Sequence, residues 1–83
     1  MIATTTKNGR CVRLTADYDI NTATVHYAVS CAGVTFEFDH FGPAARVYKG
    51  LSNRIEGGNF TNTYLKNLVA GARAIGYIVM EVA

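Results

Sequence analysis

Between Gly33 and Ile55, in GVTFEFDHFGPAARVYKGLSNRI, the apolar residues stop recurring at every second position and begin to recur at every third or fourth. A strand buries alternate residues and a helix buries one stripe, so the two periods belong to two different elements. The break falls at Asp39–Pro43. Everything before it reads as antiparallel sheet, and everything shortly after it as helix. At this point the chain leaves the sheet and turns back to cover it. With 83 residues there is room for a single domain, residues 1–83. A chain of this size hides only about 60% of its unfolded surface, so sheet and helices must share one small core.

The strands are legible from alternation. From Arg10 to Tyr18, Val12, Leu14, Ala16 and Tyr18 fall on one face, and Cys11, Arg13, Thr15 and Asp17 on the other. Asp19-Ile20-Asn21-Thr22 is a turn. Alternation resumes from Ala23 to Cys31, with Val25, Tyr27, Val29 and Cys31 on one face. A loop centred on Ile20-Asn21 sets Leu14 opposite Tyr27, Val12 opposite Val29, Ala16 opposite Val25 and Cys11 opposite Ser30. Both apolar rows then share a side, and a slip of one residue would put one row in water. Ala32-Gly33 makes the next turn and sets Val34 opposite Cys31, Phe36 opposite Val29 and Phe38 opposite Tyr27. Three strands therefore agree on one meander. Ile2–Thr6, before the hairpin signal Asn8-Gly9, is a plausible extra strand, although its alternation is poor.

The helices follow. Either Asp39 caps a helix that begins at His40, or Gly42 caps one with Pro43 in its first position. It runs to about Asn53, with Ala44, Val47, Tyr48, Leu51 and Ile55 as its buried stripe. Gly57-Gly58 is a flexible loop. A second helix starts at Asn62 or Thr61 and buries Leu65, Leu68, Val69, Ala72 and Ile75. Gly76 stops it. Tyr77–Val82 reads as a last strand. The fold class is α+β: an antiparallel meander of three to four strands, two helices on one face, and a C-terminal strand.

Little in the sequence compels a chemistry. The two registers place Thr15, His26 and Asp39 side by side across three strands, in the order of a nucleophile, a base and its orienter. A solvated polar row is the better reading, because Asp39 is wanted as a helix cap and no oxyanion donors are apparent. Cys11, Cys31, His26 and His40 do not converge as zinc ligands must, and the cysteines fall on opposite faces. No phosphate-binding glycine motif is present. We therefore expect no cofactor, no metal and no enzymatic activity. Two free thiols, an N-terminus without an apolar core and the lack of a membrane-length apolar run lead us to expect a cytoplasmic protein.

What remains is surface. Net charge is +2, a weak bias. Arg46, Lys49, Arg54, Lys66 and Arg73 lie on the outer sides of the helices, a candidate nucleic-acid surface with a solvated helix face as the ordinary alternative. Phe60 and Tyr64, four residues apart, either pack together or anchor a partner. The outer sheet face, with Arg13 and His26, is poor in charge and suited to lie against another molecule. YIVMEV is an apolar candidate edge through which a homodimer is credible. The candidate partner-binding residues are Arg13, His26, Arg46, Lys49, Phe60, Tyr64, Lys66 and Arg73.

The segment TFEFDHFGPAARVYKGL, within Gly33–Leu51, has a strand ending in Phe-Asp and then a helix carrying Ala, an aromatic and a Leu. With a meander feeding two helices, this layout resembles some small phage-encoded anti-CRISPR proteins. The resemblance implies a non-enzymatic protein that binds a nuclease or surveillance complex through charged or aromatic surface residues. It identifies no individual functional residue. The leading expectation is thus a protein-binding module that inhibits a bacterial defence system, and the alternative is a small nucleic-acid-binding protein using the basic helix face.

Overall fold

A computed structural model describes residues 2–82. Five strands, β1 (Ala3–Lys7), β2 (Arg10–Asp19), β3 (Thr24–Cys31), β4 (Val34–Phe38) and β5 (Ile78–Glu81), form one antiparallel sheet in the order β1-β2-β3-β4-β5. Between β4 and β5 come α1 (Phe41–Glu56) and α2 (Asn62–Ile75). None of the helices is long and apolar enough to cross a membrane.

The core lies between the inner sheet row and the helices. Val12, Val29 and Phe36 are fully buried, as are Ala44 and Leu51 of α1. Leu65, Val69 and Ala72 of α2 join the same cluster. Ile75, expected in that stripe, is 75% exposed, because it is the last helical residue before the chain reverses. The reversal is a Schellman-type cap. Gly76 takes φ 106°, Tyr77 N–H donates to the Ala72 carbonyl at 3.0 Å, and Gly76 N–H to that of Arg73. Thr61 caps the other end of α2, accepting from the Tyr64 N–H at 3.1 Å.

The β3–β4 register is the expected one, with Val29 opposite Phe36 and Tyr27 opposite Phe38. The β2–β3 register is displaced by two residues from that expected. Val12 faces Cys31, Leu14 faces Val29 and Ala16 faces Tyr27. The cause is the loop. It holds four residues, Ile20–Ala23, with Ala23 at φ 53° and the Asp19 carboxylate accepting from the Asn21 N–H at 2.9 Å. Its centre therefore lies one residue later than Ile20-Asn21. A shift of two keeps every side chain on its face and changes only its neighbours.

β1 does form, and its poor alternation has a physical reason. Its inward position opposite Val12 is Thr5, whose hydroxyl is hydrogen-bonded at 2.7 Å both to Tyr48 Oη and to Ser52 Oγ of α1. Among the described residues Ser52 is the one buried polar side chain, and this contact satisfies it. Lys7 Nζ donates to the Glu56 carbonyl at the far end of the helix. Polar contacts thus fasten the edge strand to α1 where apolar ones would be expected.

At the other edge, hydrogen bonding alternates along β5. Val82 N–H donates to the Gly33 carbonyl, so the main-chain groups of Val79 and Glu81 point away from β4. Arg73 of α2 reaches them, donating to the Val79 carbonyl at 3.1 Å and to the Glu81 carboxylate at 3.3 Å.

The core makes a direct prediction. Phe36→Ala removes a fully buried ring and should cost about 3–5 kcal/mol, read from the urea unfolding midpoint. In a domain whose total stability is on the order of 5–10 kcal/mol, this variant should be close to unfolding at 37 °C.

Candidate functional site

The inner row of β2 and β3 continues past the helices. Ala16 faces Tyr27 and Tyr18 faces Val25 on the same face as Leu14 and Val29. The sequence pattern marks all of them as core. Instead Tyr18 is 60% exposed, Val25 39%, and Ile20 at the loop 80%. β2 has ten residues and β3 eight, whereas β4 has only five. The two long strands therefore run on as a two-stranded arm beyond the layer above them. That layer begins at Phe41, half-exposed, whose ring meets Tyr27 edge-on with centroids 5.6 Å apart. Together they form a shelf, with Tyr18, Val25 and Tyr27 as floor and Phe41 as wall, and Ile20 is exposed in the loop beyond.

The opposite face of the arm is polar. Here the structure bears out half of the expected Thr15–His26–Asp39 row, His26 beside Asp39, and corrects the other half. Thr15 faces Ala28, and His26 faces Asp17. Asp39 does not cap α1. The cap position is His40, which makes no side-chain cap bond, while the Asp39 carboxylate lies 3.2 Å from His26 Nδ1. The hydroxyl at the other ring nitrogen is that of Thr24, 3.1 Å from Nε2, and Thr24 is bonded in turn to Thr22 at 2.6 Å. Thr24 and His26 are two residues apart on one strand and so share a face; this spacing was the available signal for the pair.

A hydroxyl–imidazole–carboxylate chain can hold a histidine tautomer and orient the ring. Its surroundings are not those of a catalytic nucleophile. The adjacent cleft, of about 420 Å³, is lined by His26, Phe38, Asp39, His40, Tyr77 and Ile78 among others, but Thr24 is not among them. His26 and Asp39 are open to solvent, with side chains 51% and 81% exposed. No group of three or more metal-ligating side chains converges among the described residues.

The remaining candidates are dispersed. Arg13 and His26 stand on the open sheet face. Arg46, Lys49 and Lys66 are exposed on the helix layer, on the other side of the molecule. Arg73 is engaged at the β5 edge. Phe60 and Tyr64 are half-buried against the core. The Arg10 guanidinium covers the Phe60 ring at 4.8 Å and that of Arg54 covers Tyr64 at 4.2 Å. Tyr64 Oη also lies 2.8 Å from where a β-carbon on Gly50 would sit, so the glycine makes room for it. The sequence reading missed the arm as a surface. Its apolar alternation is indistinguishable from that of a covered strand.

Charge is segregated in the same way. All eight basic residues lie in 7–13 and 46–73. Between Arg13 and Arg46 there is no Lys or Arg, and four of the six acids are found there: Asp17, Asp19, Glu37 and Asp39. The arm itself carries Asp17 and Asp19, on its polar face, and no Lys or Arg. Comparison with protein families, with characterised proteins and with solved structures finds no match to this chain.

Both thiols are free. Hydrogen bonds from Thr6 and Thr4, with Arg13 beside it, hold the Cys11 thiol below its usual range, whereas burial pushes Cys31 up. A lowered value means thiolate at lower pH. Iodoacetamide should label Cys11 first, with its rate half-maximal below pH 9.0, and should reach Cys31 only on unfolding, as read by peptide mass spectrometry. The exposed His26–Asp39 pair should contribute under about 1 kcal/mol, so His26→Ala should leave the thermal midpoint nearly unchanged.

Proposed function

We propose that this chain is a non-enzymatic protein-binding module that engages its partner through the β2–β3 arm. One observation carries the reading. Tyr18, Val25, Tyr27 and Phe41 make an apolar shelf that the protein's own helices leave bare, with Ile20 exposed in the loop beyond it. A two-stranded ribbon with one apolar face is marginal in water until something packs on it, and aromatic and branched apolar side chains on a projecting element are the usual anchors of protein interfaces. The polar chain Thr22–Thr24–His26–Asp39 lies on the other face and links the arm to the segment just before α1. The resemblance of the Gly33–Leu51 segment to anti-CRISPR proteins supports the finer reading. The module is an inhibitor acting in the bacterial cytoplasm, and its partner is a nuclease or surveillance complex of a defence system.

Tagged protein incubated with bacterial lysate should retain a stoichiometric protein partner that survives nuclease treatment. The double variant Tyr18→Ser/Ile20→Ser alters two exposed residues, so it should melt with the wild type yet lose at least about tenfold in capture, as expected for interface anchors. Capture unaffected by the double variant overturns the reading. Bound material lost entirely on nuclease treatment belongs instead to a nucleic-acid role for Arg46, Lys49 and Lys66.

A further inference from the structure

We infer that this chain pairs with a second copy of itself through the outer edge of β1, joining two five-stranded sheets into one across a two-fold axis at Thr5. This surface is separate from the arm. Three observations specify its occupant.

The first is what the edge exposes. The Leu14 carbonyl faces β1, where it accepts the Ile2 N–H at 2.8 Å. Leu14 and Val12 therefore turn their main chain toward β1. Their partners Ala3 and Thr5 turn back toward them, and Thr4 and Thr6 turn outward. Among the described residues nothing bonds to those outward N–H and C=O groups. The side chains leave them uncovered as well. Thr4 Oγ1 donates to the Val12 carbonyl at 3.2 Å, and Thr6 bonds to the Cys11 thiol across from it. Thr5 is held by Tyr48 and Ser52, and Lys7 reaches the Glu56 carbonyl at 2.7 Å. The polar side chains of the strand are thus engaged within their own domain. Proline, a charge and a bulge are the usual guards of an edge, and none stands between Ala3 and Thr6.

The second is the contrast with the other open edges. At β5, Arg73 occupies the Val79 carbonyl. On the arm, Ala16 and Tyr18 turn outward from β2 by the same alternation, past the end of β1. Pairing two copies there would set Asp17 directly against Asp17 of the second copy, and like charges opposite one another are destabilising. On β3 the pairing with β4 stops at Tyr27, which leaves Val25 as the one strand residue facing out.

The third is the symmetry of β1 itself. Antiparallel pairing about Thr5 sets Thr4 opposite Thr6 of the second copy, and Thr6 opposite its Thr4. Both are hydrogen-bonded pairs, which exchange two main-chain bonds each, and threonine beside threonine across strands is favourable. Lys7 falls opposite Ala3, so no like charges meet. Centring on Thr4 or Thr6 instead would leave one outward threonine against a residue outside the strand. An unrelated strand could use the same ladder, but the edge has little with which to select its side chains. The cleft at the Lys7 end, about 170 Å³, takes in neither Thr4 nor Thr6. With both β1 edges joined and Arg73 on each β5 edge, assembly closes at two copies.

The test is sedimentation and amide exchange on the full-length chain. Sedimentation velocity should pass from monomer at about 5 µM to dimer at about 0.5 mM, as suits a small interface. Over that range hydrogen exchange of the Thr4 and Thr6 amides should slow at least about tenfold, since ladder bonds protect amides. The amides of Ala16, Tyr18, Val79 and Glu81 should stay fast. Thr6→Pro removes an outward N–H that β2 does not use, so it should weaken association at least about tenfold. Two further chains serve should that variant melt early. Thr4→Lys/Thr6→Lys and Thr4→Glu/Thr6→Glu each set like charges opposite across the axis, and each should stay monomeric. Mixed in equal amounts, they should associate at least about tenfold more tightly than either does alone. A wild-type chain still monomeric at about 1 mM would overturn the inference. So would exchange slowed at Val79 and Glu81, or at Ala16 and Tyr18, in place of Thr4 and Thr6. A lysine–glutamate mixture no tighter than its components would overturn it too. None of these variants alters the arm, so capture from lysate tests that reading independently.

Discussion

The structure depends on the contact between one helix and four strands. Ala44, Leu51 and Ile55 of α1 sit on an inner row that includes Val12, Val29 and Phe36, and nearly every fully buried side chain belongs to that seam. A single helix crossing a sheet covers a band of limited width. β1 and β4, at five residues each, fit within it, while β2 and β3 exceed it. The exposed arm is thus a consequence of unequal strand lengths under a cover of fixed size. The same limit explains why Tyr18 and Val25 are written like core residues and yet meet solvent.

Much of the fold was legible because face is set by parity. Alternation from Arg10 to Phe38 assigns each side chain to a side, and that assignment holds throughout. Neighbours across the strands require the loop geometry as well, and nothing in the composition of Asp19–Ala23 distinguishes a two-residue loop centre from a four-residue loop. The resulting error of two residues left the core intact and dissolved the Thr15–His26 pairing. Asp39 was expected both beside His26 and as the cap of α1, and only the first holds. A carboxylate before a helix is a good cap, but here His26 lies across the strand and takes it. β1 was hidden because its inward contact is made by hydroxyls, which an apolar pattern does not register.

The candidate surface was less legible than the fold. Basic residues on helix faces and aromatic residues beside a glycine loop are features that sequence shows readily. In three dimensions the aromatics are covered by Arg10 and Arg54, and the bases are divided between two sides of the molecule. The surface that stands out needed two facts absent from any local pattern: where the helix layer ends, and that β2 and β3 run on past it. The exposed apolar side chains of the arm gather there, whereas the more numerous basic residues are divided.

The contact of Arg73 with the last strand bears on a different property. β5 is an outer strand with Ile78 and Met80 open on one face, and it has main-chain groups free along its edge. Such a strand is a template on which further chains can stack. The guanidinium occupies the Val79 carbonyl and holds Glu81 beside it. An approaching strand would have to displace a charged donor and bury it before gaining its first ladder bond. A strand added on this side would therefore begin by displacing a cation drawn from the second helix.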